Sequence, residues 1–414
     1  MALDKVKPLL AAKLDFLDRN GTNKRDERII TGRQLPHDGF GPRYCLKGFG
    51  ERAFLRMNAN AYLGLNFHLR VIEAEEKAAR IFGAGPGAVR FITGTFEPHI
   101  ELEERLASFH GREAGMVFSA AYATIMGVLP QLITGETLVV SDALNHNSII
   151  NAIHLAQPAA RALYEHLDMT QLENILNQHL GKVRRVIVVT DGVFSMRGDN
   201  APLERIRETC KHYHDSFEEG VISVVDDSHG VGALGVSGRG IEEKTGATAD
   251  ILVATLGKAL GVNGGYVVAD RIVIDYLRET SPFYIYSNPI TPSEAAAALE
   301  ALKILDSSEG IGLLQKIREL AGALRSGFRE RGYETLSGEH PIVPLLTRDT
   351  AKTRGLVKRL FDCNILATGL GYPVVPKGDE EIRFQVSAEH TIKDIDYLLD
   401  TLSFFNSHFS QQPH

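Results

Sequence analysis

Lys258 follows an apolar run, Ile251-Leu252-Val253-Ala254, and sits inside the glycine-punctuated string Thr255-Leu256-Gly257-Lys258-Ala259-Leu260-Gly261. The run has the length of a buried strand, and ligands in open α/β sheets gather at the carboxyl ends of strands. An amine desolvated there has its pKa lowered towards the range of a nucleophile. Alone, Lys258 reads first as a surface lysine after a strand. Other chemistry-bearing residues stand at comparable exits. His146 follows the strand expected over 137–141, Ser195 the one over 186–189, and Asp226 and His229 the one over 221–225. Each has a plain reading: a capped turn for Ser195, a core histidine for His146 or His229, a buried ion pair for Asp226. A parallel sheet places all these exits along one edge, so the groups converge.

A lysine and an aspartate on neighbouring strand ends, with a phosphate seat nearby, fit pyridoxal 5'-phosphate (PLP). Ser119 is the expected N-cap of a helix over about 121–129, and the small residues at its start leave backbone N–H groups free for phosphate. Lys258 would form the Schiff base and Asp226 would pair with the pyridinium nitrogen. His146 would stack on the ring, His229 and Ser195 would bond the ring oxygen, and Thr255 would add a hydroxyl to the phosphate. Asp226-Asp227 after Val224-Val225 also resembles the magnesium aspartate of P-loop nucleotidases, but the chain has no G-x-x-x-x-G-K-[ST]. Gly83-Ala84-Gly85-Pro86-Gly87-Ala88 spells a dinucleotide fingerprint. A helix expected over 71–82 precedes it and extended residues 89–92 follow, the reverse of what that site needs.

The elements that must position these groups alternate between strand and helix, which predicts right-handed βαβ units in an α/β fold with a mainly parallel sheet. The expected division is an N-terminal helix and wrapping segment (1–57), a large α/β domain (58–292) and a smaller α+β domain (293–414). Arg383, between Ile382 and Phe384, is either a solvent-facing strand position or a carboxylate clamp. Asn60 caps a turn or presents its amide to a ligand. Over 414 residues the formal charge is −7, which gives no basic footprint for nucleic acid. The amphipathic N-terminus lacks a signal peptide's apolar core, and no segment approaches a membrane span. Cys45, Cys210 and Cys363 are too scattered for a disulfide framework or zinc site and fit a reducing cytoplasm. The residues 410–414 read as a polar tail.

Six strings carry a resemblance. They are Asn60-Ala61-Tyr62-Leu63-Gly64-Leu65, Ser141-Asp142-Ala143-Leu144-Asn145-His146, Thr190-Asp191-Gly192-Val193-Phe194-Ser195-Met196, Val225-Asp226-Asp227-Ser228-His229-Gly230, the Lys258 string, and Tyr372-Pro373-Val374-Val375-Pro376-Lys377-Gly378. The chain resembles the α-oxoamine synthases, fold-type-I PLP enzymes that join an amino acid to an acyl-CoA. Its wording is nearest the glycine C-acetyltransferase (2-amino-3-ketobutyrate CoA ligase) branch. The resemblance implies Lys258 as Schiff-base lysine and α-proton base, Asp226 but not Asp227 as pyridinium partner, and His229, Ser195 and His146 around the ring. It implies phosphate contacts from Ala121, Tyr122 and Thr255, and a substrate carboxylate held by Asn60 and Arg383 with Arg28 assisting. It further implies a homodimer with shared active sites, in which Tyr286-Ser287-Asn288 belongs to the partner's site. The chain departs from the family at Ile125, Arg197, Glu97 and Pro289. Val89 before Arg90 is similar to the acetyltransferase branch and favours a short uncharged acyl group; the expected reaction is glycine plus acetyl-CoA to 2-amino-3-oxobutanoate. The alternatives are an alanine- or serine-using synthase with a longer acyl-CoA, of 8-amino-7-oxononanoate synthase or serine palmitoyltransferase (SPT) type, then an aminotransferase or a non-catalytic subunit.

Overall fold

The computed structural model describes residues 2–20, 22–25, 27–372 and 375–409. Pro373, Val374 and the tail 410–414 lie outside the described residues. A helix, Lys7–Arg19, has no buried residue. Three short antiparallel strands follow: β1 (Ile30–Gln34), β2 (Arg43–Leu46) and β3 (Ala53–Arg56). The stretch 39–51, expected only to wrap, therefore contributes a strand.

Seven strands form the main sheet: β4 (Ala114–Phe118), β5 (Thr137–Asp142), β6 (Ala160–Tyr164), β7 (Arg185–Asp191), β8 (Val221–Asp226), β9 (Ile251–Thr255) and β10 (Gly265–Ala269). Their order is β4-β10-β9-β8-β7-β5-β6. The pairs from β9 through β8, β7 and β5 to β6 are parallel. Helices Asn147–Ala156, Met169–Gln178 and Leu203–Tyr213 provide the crossovers that parallel pairs require. Runs such as Leu138-Val139-Val140 are fully buried because both faces of the sheet are covered. Along β9, Leu252 and Ala254 pack into one apolar layer and Val253 into the other.

β10 runs against both its neighbours. The loop between β9 and β10 spans only 256–264, too short for a crossover, so the chain must turn straight back. Lys258 lies on that turn.

The remainder carries β11 (Glu334–Thr335), β12 (Ile342–Leu346), β13 (Ile365–Leu366), β14 (Thr368–Leu370) and β15 (Glu381–Gln385). Strands β11-β12-β15-β14 form an antiparallel sheet, whereas β13 pairs in parallel with β3. Helices Ser308–Glu330 and Ile392–Phe409 accompany that sheet. None of the described helices is long and apolar enough to cross a membrane.

Three local expectations are corrected. The helix Ala121–Leu132 is capped by Ala120 without a side-chain bond, so Ser119 is not its N-cap. Residues 90–94 form an irregular turn, with Thr93 at a φ of 63°, rather than an extended run; Arg90 is drawn inward onto Glu103 in a bidentate pair at 3.1 Å and onto Thr95 at 2.9 Å. Arg383 does not point to solvent. Its Nη1 donates to the Ser195 carbonyl at 2.7 Å.

Candidate active site

Lys258, Asp226, Ser228, His229, Asp191, Val193, Ser195, His146, Ser148, Ala121 and Tyr122 line one cavity at the ends of β5, β7, β8 and β9. The Lys258 loop is braced from within. Leu256 N–H donates to the Gly264 carbonyl at 3.0 Å and Val262 N–H to the Leu256 carbonyl at 3.0 Å. The Thr255 hydroxyl donates to Gly264 at 3.1 Å and accepts from Gly257 N–H at 3.0 Å. Its proton is therefore used by the loop. Burial lowers the Lys258 amine from 10.5 to about 8, although Asp226 and Asp191 pull the other way.

Two adjacent aspartates separate cleanly. Asp226 Oδ1 accepts Ser228 N–H at 3.1 Å and the residue lines the cavity. Asp227 turns away to accept Ile241 N–H at 2.7 Å. Any Cβ at Gly192, Gly230 or Gly240 would fall within 2.3 Å of its carboxylate, so those positions are glycine to make room for it.

Asp191 is paired in register with Asp226 on the neighbouring strand. Its Oδ2 accepts the His146 backbone N–H at 3.0 Å, which fixes the start of the histidine's helix. Burial first, then the charge of Asp226, raises its pKa well above the usual carboxylate value. His146 caps helix Asn147–Ala156, with Nδ1 2.7 Å from the Ser148 hydroxyl. Burial lowers its pKa; Asp226 opposes this and Lys258 adds to it. His229 Nδ1 lies 2.7 Å from the Tyr62 hydroxyl, and burial pushes its pKa well below the ordinary value.

Ala121 and Tyr122 open their helix, where the first N–H groups have no intrahelical partner. A Cβ at Gly265 would stand 2.4 Å from Ala121 Cα and 2.5 Å from its nitrogen. Only glycine lets β10 press so closely against this helix start. The Asn60 carbonyl oxygen accepts from the Gln385 amide.

Some expected site residues lie elsewhere. The Arg28 guanidinium covers the Phe361 ring at 4.0 Å and lines a separate cavity with Thr368 and Tyr372. Ser287 and Asn288 follow helix Pro282–Ile285 and line no part of the Lys258 cavity. Ile125 is fully buried in an apolar layer. Arg197 bonds Asp199 at 2.7 Å, which continues through His166 to Asp142 at 3.2 and 3.0 Å. Asp191 and Tyr62 were missed although both stand inside the quoted strings. Asp191 occupies a strand exit as Asp226 does, and that signal was available.

The chain matches the family model described as aminotransferase class I and II over residues 52–402. It is 40% identical over 348 residues to the 8-amino-7-oxononanoate synthase of Petrotoga mobilis, covering 83% of this chain and 86% of that one. It is 37% identical over 401 residues to the mitochondrial 2-amino-3-ketobutyrate coenzyme A ligase of Bos taurus, covering 95% and 91%. A high-resolution structure of SPT with PLP internal aldimine superposes with a TM-score of 0.85 at 26% identity, over 97% of each chain. The chain belongs to the class I and II aminotransferase family, in its α-oxoamine synthase branch. This α-oxoamine synthase is thus a PLP-dependent acyltransferase of fold type I. The donor set suits the cofactor: one amine of lowered pKa, two aspartates on the cavity wall of which Asp191 is bonded to the His146 N–H, two imidazoles of lowered pKa, and a helix start approached closely enough to exclude a Cβ.

Proposed function

We propose that this α-oxoamine synthase condenses glycine with acetyl-CoA to give 2-amino-3-oxobutanoate and CoA. What carries the amino acid is the wording of the quoted strings, nearest the glycine-using branch, together with 37% identity over 401 residues to the bovine ligase. Similarity to the bovine ligase along 95% of the chain, with Val89 before Arg90, supports the short acyl donor.

Bound PLP supplies the electron sink that makes the α-proton of the amino acid acidic. The chain's residues do the rest. Lys258 would hold the cofactor covalently through Nζ, and the same atom would take the α-proton of the amino acid. Asp226 keeps a proton at the ring nitrogen, and His146 covers a ring face and excludes water. His229 and Ser195 address the ring oxygen, and the N–H groups at Ala121 and Tyr122 bind phosphate. Thr255 acts chiefly through the loop it braces. Arg383 and Asn60 grip the substrate carboxylate. The α-carbon then adds to the thioester carbonyl and the CoA thiolate leaves.

Tyr122 lines the Lys258 cavity yet is exposed on the single chain, which supports completion of the site by a second chain, as a homodimer. Tyr286 and Asn288 are exposed on the single chain and reach a partner's site in this reading, where Ser287 and Asn288 contact phosphate. Arg28 acts with the substrate only if its segment moves from Phe361. We place the reaction in the cytoplasm, because the cysteines are free and oxidising compartments favour pairing.

A second reading has its own observation. A cavity of about 410 Å³ shares Ser195 with the site; Leu144, Phe194, Met196, Leu336 and Leu346 line its apolar part, and Arg197, Arg348, Asp379 and Glu381 its charged part. That space favours a longer acyl chain with alanine or serine. Incubating glycine, alanine and serine with acyl-CoAs of increasing length, and measuring CoA release and product mass, separates the two. CoA release from glycine and acetyl-CoA supports the first reading. Its absence, with turnover of a longer acyl-CoA, replaces it with the second.

A further inference from the structure

We infer that Tyr62 is a positioning residue, whose hydroxyl donates to Nδ1 of His229 and so fixes the imidazole as the Nε2–H tautomer, with that N–H available to the Lys258 cavity. This goes beyond the assignment of His229 to the ring oxygen, on which it rests, by specifying which atom carries the proton and what holds it there.

The argument is one of donor and acceptor accounting in a buried cluster. Tyr62 is fully buried, just beyond β3, with its hydroxyl 2.7 Å from His229 Nδ1. The histidine carries one proton, because burial and the nearby Lys258, His340, Arg383 and His146 all disfavour a second. Those groups and Tyr62 face it from the β9–β10 loop, the approach to β12, β15, the exit of β5 and the exit of β3. Two arrangements remain. If Nδ1 held the proton and donated to Tyr62, the buried tyrosine O–H would need another acceptor. Gln385 is the neighbour to consider, but its amide nitrogen donates to Asn60 and its oxygen makes no hydrogen bond to the Tyr62 hydroxyl, whose hydrogen-bond partner among the described residues is His229 Nδ1. Stranding a buried donor is the costlier outcome. If Tyr62 donates instead, both groups are satisfied and the proton of His229 moves to Nε2.

The backbone of His229 is fixed by the same logic. His340 Nδ1 accepts Ile342 N–H at 3.0 Å, so its proton lies on Nε2, which donates to the His229 carbonyl at 2.9 Å. The Tyr62 ring stands edge-on to His340, with centroids 5.4 Å apart. The tautomer and the main chain of His229 are therefore held by one aromatic cluster. A fixed Nε2–H makes His229 a hydrogen-bond donor to an acceptor oxygen and unsuited to act as a base from that atom.

The test uses the PLP-loaded protein labelled with ¹⁵N-histidine, the His229 signal being assigned by its loss in His229→Asn. The wild type is expected to show a protonated Nε2 and an unprotonated, hydrogen-bonded Nδ1. In Tyr62→Phe the pattern should become an exchange average, and the acid limb of the rate profile should move to higher pH. kcat should fall about tenfold, the scale of one lost hydrogen bond, with KM changed less than about twofold. A wild-type signal with the proton on Nδ1 overturns the inference even if Tyr62→Phe fails to fold. So does a folded Tyr62→Phe whose tautomer and pH profile match the wild type. If no substrate pair is turned over, the substrate reading fails while the nitrogen signals still decide this one.

Discussion

Replacing Lys258 with methionine removes an amine that burial has lowered from 10.5 to about 8. At ~1.4 kcal/mol per pH unit, that change corresponds to about 3 kcal/mol of native-state penalty, and water in a partly open cavity trims it to about 2–3 kcal/mol. The sign follows from proton counts. Below pH 8 both folded and unfolded chains hold the proton and the penalty is complete. Between about 8 and 10.5 only the unfolded chain holds it, so stability rises with pH. In PLP-free protein, Lys258→Met should therefore be more stable than wild type at pH 7, and this advantage should shrink as pH approaches 10.5. Urea unfolding of both proteins at steps across that range reads the difference directly. Tyrosines with raised pKa, such as Tyr62 and Tyr164, titrate in both proteins and cancel. A difference that stays constant with pH would refute the claim that this amine is desolvated in the fold.

Gly265→Ala should destabilise the protein by about 1–3 kcal/mol and weaken PLP binding, because the new methyl meets the backbone at Ala121; cofactor titration and thermal unfolding check both. Asp191→Asn keeps the bond from His146 N–H while removing a carboxyl raised by burial and Asp226. Its PLP-free form should gain stability over wild type as pH rises above the usual aspartate range, and denaturant curves at pH 4 and 8 should show the gain only at the higher value. For His166, burial lowers the pKa but Asp142 and Asp199 outweigh it and lift the ring to about 9. His166→Gln should be destabilised below pH 6.5, with the difference fading as pH rises through 9.

The parallel sheet was legible because continuous apolar runs such as Val186-Ile187-Val188-Val189 mark strands covered on both faces. The convergence of Lys258, Asp226, His229, His146 and Ser195 followed from that topology alone. β6, with its mixed string Ala160–Tyr164 at the sheet edge, has no such apolar signature and was passed over. The reversal at β10 depends on loop length rather than composition. Arg90 marks a stretch where the local pattern misleads, since residues that read as extended form an irregular turn where Arg90 pairs with buried Glu103. Tyr62 was invisible as a site residue for a different reason. Its role depends on a partner 167 positions away, and no local pattern carries such a contact. Arg383 could be narrowed to two readings from its strand alone, and its bond to Ser195 removed the solvent-facing one.

The central claim is that Lys258 carries the cofactor. Reducing PLP-loaded protein with borohydride and mapping its peptides by mass spectrometry tests this most directly. A pyridoxyl adduct confined to the peptide containing Lys258, and absent from Lys258→Ala, is the expected result. Adducts spread over other lysines, or an unchanged adduct pattern in Lys258→Ala, would contradict the account.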